Sequence, residues 1–158
     1  MIRHSRNANA REAQRGFSLI EVLIALIIMS VGMLGIAGLF VQGMQAGRTS
    51  LFRHNAVTLA GDVADRIRAN PRAGVDYMGP GGDNSCVGTG IDCTPTQMAA
   101  HDILLWDQQA IDSLPNGAVN IQYDGGVSPP IYAITIGWTE PGVDPPPSYS
   151  ITIPVFGF

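Results

Sequence analysis

The chain has no lysine; all nine of its basic residues are arginines, and the last is Arg72. From residue 73 to residue 158 there is neither Lys nor Arg, yet nine carboxylates remain. A segment so balanced has no cationic face to set against a phosphate backbone, which excludes nucleic-acid binding by that part of the chain. Histidine is scarce there too, with His101 alone. No Ser/His/Asp spacing stands out, and the glycine cluster at residues 79–82 lacks the lysine and the strand–helix setting of a phosphate loop. No catalytic residue, cofactor or metal is therefore expected, and the scattered acids read as a solvated surface. Cysteine is limited to Cys86 and Cys93. At 158 residues the chain has room for one domain with an appendage, not for two cores of ordinary size.

What the chain does have is an asymmetric N-terminus. Arg3, Arg6, Arg11 and Arg15 precede an apolar run over residues 17–41, of which residues 22–41 carry no charge. Twenty helical residues span roughly 30 Å, the thickness of a bilayer core. The rest of the chain is too small to wrap such a helix as a soluble core. A secretory signal has a shorter apolar stretch and is cut after it; Gly35-Ile36-Ala37 resembles such a cut site, but the run continues beyond it. The basic flank orients the helix, so residues 1–15 stay cytoplasmic and the chain beyond the run is exported. One carboxylate, Glu21, sits inside the apolar run. Burying it costs about 2.5–3.5 kcal/mol on insertion scales, so it needs a partner, unless it stays at headgroup depth.

The residues Arg15-Gly16-Phe17-Ser18-Leu19-Ile20-Glu21-Val22 resemble the class III signal of type IV pilins and type II secretion pseudopilins. The resemblance implies cleavage after Gly16 by a prepilin peptidase, N-methylation of Phe17 and retention of the apolar run. It also implies that the freed ammonium of Phe17 pairs with Glu21 of a neighbouring subunit and sets the register of assembly. Breaking a buried pair of this kind costs about 3–5 kcal/mol.

Gly32, Gly35, Gly38, Gly43 and Gly47 punctuate the run and its continuation. Gly43 and Gly47 form a small-xxx-small pair suited to close helix approach, or glycine is simply tolerated at these positions. The pilin resemblance implies that a glycine-containing stretch near this depth can lose helicity in the filament, and glycine's poor helix propensity makes residues 32–38 the candidate. Beyond Val41, Phe52, Ala56, Leu59, Val63 and Ile67 recur at spacings of three and four, which predicts one helix over residues 17–69, roughly 80 Å long. Asp62 with Arg66, and Asp65 with Arg68, have pairing spacing, and Asn70-Pro71 stops the helix. The stretch Leu59-Ala60-Gly61-Asp62-Val63-Ala64-Asp65-Arg66-Ile67-Arg68-Ala69-Asn70-Pro71 resembles the stalk end of the PilV family, the type IV pilus modification proteins, which are minor pilins.

Residues 72–96 are rich in turn formers and hold both cysteines. In an exported, oxidising setting a Cys86–Cys93 disulfide is the default reading. A zinc site using Cys86, Cys93 and His101 is the sharper alternative, without CxxC spacing or a clear fourth ligand. A helix over residues 96–113 follows, capped by Thr96, with Leu104, Leu105, Gln108, Ile111 and Leu114 as its stripe and Trp106 at the core edge. Strands are predicted over residues 118–123, 131–139 and 149–156, with Pro154 at an edge or a strand end.

The fold class is α+β: a long N-terminal membrane and stalk helix packed against a small antiparallel sheet with one extra helix, which is also what the pilin resemblance implies. The divisions are a basic leader (1–16), a transmembrane assembly helix (17–41), an amphipathic stalk (42–70) and a periplasmic head (71–158). The resemblance implies a non-enzymatic minor pilin of the inner membrane and then the pilus, acting in pilus assembly or initiation, twitching motility or adhesion. Its partners would be the prepilin peptidase/N-methyltransferase, the major and other minor pilins, the assembly platform and inner-membrane lipid. A type II secretion pseudopilin shares the signal, and a signal-anchored binding domain that never polymerises is a further alternative.

Overall fold

The computed structural model describes residues 16–87 and 92–157; the leader up to Arg15 lies outside the described residues. The first helix, α1 (Leu19–Ala69), opens at Ser18, whose carbonyl accepts from the amides of Glu21 and Val22 at 3.0 and 3.2 Å. Glu21 falls in the first turn and Arg66 and Arg68 in the last, as the helix dipole favours. No proline interrupts the sequence before Pro71, and α1 passes unbroken through residues 32–38 in the single chain. The amide of Asn70 closes the last turn on the Arg66 and Ile67 carbonyls. Packing divides the chain after Met44, and the head unit starts at Gln45.

Within the head, Ala56, Leu59, Ala60, Val63, Ala64 and Ile67 form the buried stripe of α1. The predicted positions lie on it except Phe52, which packs against the core only in part. A 3-10 turn (Gly74–Met78) follows in the stretch read as loop, and it buries Tyr77. The second helix, α2 (Pro95–Ser113), is capped by Thr94 and not by Thr96. Pro95 occupies the first turn, where its missing N–H costs nothing. Thr94 Oγ1 accepts from the Gln97 amide at 3.3 Å, and Gln97 Oε1 accepts from the Thr94 amide at 2.9 Å, a reciprocal capping box. Thr96, already helical, donates its hydroxyl to Asp76 instead.

The buried face of α2 is Ala99, Ile103, Trp106 and Ala110. This corrects the predicted stripe in part: Leu114 is buried as expected, but Ile111 is 67% exposed, and Trp106, expected at the core edge, is 1% exposed. The large indole fills the interior, which turns Leu104 and Leu105 partly outward.

Three strands, β1 (Ala118–Asp124), β2 (Ile131–Gly137) and β3 (Ser148–Pro154), form an antiparallel meander in the order β1-β2-β3. Ile134 of the central strand pairs with Ile121 on one side and Ile151 on the other. Alternation puts Tyr132, Ile134 and Ile136 on the core face. β2 ends before the predicted Thr139 because that amide bonds to the Pro115 carbonyl. Pro154 closes β3, an edge strand. One core of α1, α2, the 3-10 turn and sheet residues results, α+β in layout. Gly81 lets the preceding loop lie against α2: a Cβ there would sit 2.8 Å from the Leu104 amide nitrogen.

Candidate functional site

The N-terminal unit is a bare apolar helix surface. Phe17 is 83% and Leu19 91% exposed, and the large side chains through Val41 are also exposed. Glu21 is the single ionisable side chain from residue 17 to residue 47. With Phe17, Val22, Ala25, Leu26 and Met29 it lines a shallow, almost wholly apolar groove along one helix face. The spacing of Val22, Ala25, Leu26 and Met29 is that of one helical stripe. Gly32, Gly35, Gly38, Gly43 and Gly47 have open space where a Cβ would stand, so no packing within the chain requires glycine there. Such a surface calls for lipid or other helices, since a contiguous apolar area of this size is not left to water.

The head carries a polar network that sequence spacing captured only in part. Arg66 lies 3.2 Å from Asp62, one turn away, and Arg68 lies 3.1 Å from Asp65, as the spacings predict. Arg66 Nη1 also donates to Asp102 Oδ1 across to α2 at 2.9 Å. Asp102 is 2% exposed, which corrects its reading as a solvated acid. Its other oxygen accepts from the Tyr77 hydroxyl at 3.1 Å, and Asp62 accepts from Trp106 Nε1 at 3.1 Å. Burial works to lower the Arg66 pKa, but the Asp102 hydrogen bond and the Asp62 and Asp102 charges outweigh it, so the net displacement is upward. Burial raises the Tyr77 phenol well above its ordinary value, against an opposing hydrogen bond from Asn70. Asp102 has no arginine or lysine in its own helix, and no local pattern names a partner 36 residues away. The one signal was Arg66 itself, an arginine at the edge of the apolar stripe.

Cys86 and Cys93 are joined in a disulfide, which removes both thiolates from the zinc alternative. His101 is 7% exposed, and its Nδ1 lies 3.6 Å from Asp83, without a hydrogen-bond partner among the described residues. Among the described residues no three His, Cys, Asp or Glu side chains group as metal ligands.

At the foot of the head, Glu140 accepts from Thr49 Oγ1 at 2.7 Å and from Trp138 Nε1 at 2.8 Å. These two hydrogen bonds hold its carboxyl below the ordinary glutamate value.

Residues 11–37 match the family model of the prokaryotic N-terminal methylation motif, and residues 38–104 match the model of type IV pilin Tt1218. No curated protein and no solved structure matches the chain.

Proposed function

We propose that this chain, a type IV pilin-like protein, serves as a minor pilin of the PilV kind, built into a pilus or its initiating complex. The observation that carries the reading is Glu21, the lone charged side chain of the exposed apolar stretch over residues 17–47, which follows directly on Gly16. Hydrolysis of the Gly16–Phe17 peptide bond leaves a carboxylate on Gly16 and an ammonium on Phe17, which is then methylated. In a filament core that ammonium and a neighbour's Glu21 neutralise one another, and the pairing sets axial register more than it adds net stability. Before assembly, residues 17–41 anchor the subunit in the inner membrane with the head in the periplasm. The disulfide supports that exported setting.

On this reading the chain is a structural subunit and a substrate of the prepilin peptidase/N-methyltransferase. Its partners are the major pilin, other minor pilins and the assembly platform, and its loss acts on twitching motility or adhesion through the filament. A deletion strain tests the assignment: it loses surface pili and keeps exoprotein secretion. Normal piliation with failed secretion would assign the chain to a secretion pseudopilus instead.

A further inference from the structure

At the foot of the head, within the unit that begins at Gln45, a groove of about 560 Å³ opens between α1 and the loop after β2. Phe52, Pro141 and Val143 give it apolar walls, and Arg48 and Gln45 stand on its α1 side. Its one carboxylate, Glu140, is already engaged by Thr49 and Trp138, and the charge that acts on it comes from Arg53. Arg48 enters no ion pair among the described residues. A guanidinium stays charged at any physiological pH and matches phosphate with paired donors. An apolar groove beside an uncompensated guanidinium fits an amphiphile with an anionic head.

Chain position narrows the choice of amphiphile. Arg48, the first charged residue after Glu21, follows the last residue of the apolar run, Val41, by seven positions. Seven helical residues rise about 10 Å, and the headgroup layer extends about 5–8 Å beyond the hydrocarbon. Helical side chains lean toward the helix N-terminus, and long basic side chains reach back to the interface. Arg48 is thus placed to meet headgroup phosphate. Resting on the membrane-anchored reading above, we propose that this groove holds the head of an anionic phospholipid of the outer leaflet, with its phosphate on Arg48 and its glycerol region against Phe52 and Val143.

The test is native mass spectrometry of the full-length chain in detergent with equal phosphatidylglycerol and phosphatidylethanolamine, run beside flotation with vesicles of the same two lipids. The wild-type chain floats and retains phosphatidylglycerol over phosphatidylethanolamine about fivefold, the factor that one interfacial cation supplies. Arg48→Gln floats equally but loses the preference, Arg48→Lys keeps part of it, and Arg53→Gln keeps it. A wild-type chain that does not float overturns the membrane anchor and this site with it. A chain that floats without a preference, or whose preference survives Arg48→Gln, overturns the site alone. Unchanged lipid retention with failed filament incorporation in Arg48→Gln would give the groove to a neighbouring subunit's carboxylate, which also overturns the lipid assignment.

Discussion

Arg66 Nη1 on α1 lies 2.9 Å from Asp102 Oδ1 on α2, and through Asp102 the guanidinium is linked to the Tyr77 hydroxyl of the 3-10 turn. Three elements of the head thus meet at one buried carboxylate. Truncating it would leave the arginine without its buried partner and the phenol without its acceptor.

Asp102→Ala is therefore expected to cost about 3 kcal/mol, the low end of the range for breaking a buried pair, because Arg66 is 43% exposed. Asp102→Asn retains an oxygen for Tyr77 and costs less. Denaturant unfolding of the full chain in detergent, followed by the emission of buried Trp106 and Trp138, reads both. An Asp102→Ala midpoint equivalent to a loss under about 0.5 kcal/mol, the size of a surface substitution, would contradict the joint.

The head is expected to lose stability in alkali through Tyr132. Burial, then the charges of Tyr123 and Asp76, push its phenol up to about 12 from 10. A pKa raised on folding means the neutral form is favoured in the fold. That contribution is complete below pH 10 and is lost as pH rises from 10 through about 12. It amounts to on the order of 2 kcal/mol. Tyr77, also raised by burial, adds to the same alkaline decline. Tyr132→Phe loses the 2.7 Å bond to the Gly74 carbonyl, costing about 1 kcal/mol near neutrality. It should flatten the decline above pH 10 by about half. An unchanged alkaline slope in this variant would rule Tyr132 out as a cause.

Reduction or Cys86→Ser/Cys93→Ser should lower stability by about 2.5 kcal/mol, the loop-closure term for so short a span. Unfolding with and without reductant measures it, and equal midpoints would show that the bond does not constrain the unfolded chain.

Much of this was legible in the sequence because it is periodic or punctuated. The α1 stripe, the Pro71 stop, the three strands and the Asp62–Arg66 spacing are all local patterns. The α2 cap was misplaced by two residues because Thr94 and Thr96 carry the same hydroxyl and only Pro95 between them decides. The α2 face was misjudged because leucine and isoleucine outweigh tryptophan in a pattern count, whereas the interior took the indole. Asp102 looked like one more surface acid, since its partners lie on other elements. At the N-terminus, Gly16, Phe17 and Glu21 were legible as a motif, and Glu21 stands on an exposed helix surface with no ion pair among the described residues.

If Glu21 sets register, Glu21→Ala should leave processing intact and reduce filament incorporation about tenfold or more, as loss of a partly buried pair predicts. Quantifying the protein in sheared filaments against membranes checks this; wild-type incorporation of the variant would remove Glu21 from the assembly account.

The most direct test of the central claim is the mass of the N-terminal peptide of this protein, measured separately in sheared surface filaments and in membranes. A peptide beginning at N-methylated Phe17 in the filament fraction is the predicted result. Protein that keeps an intact leader through Gly16 in every fraction would contradict it.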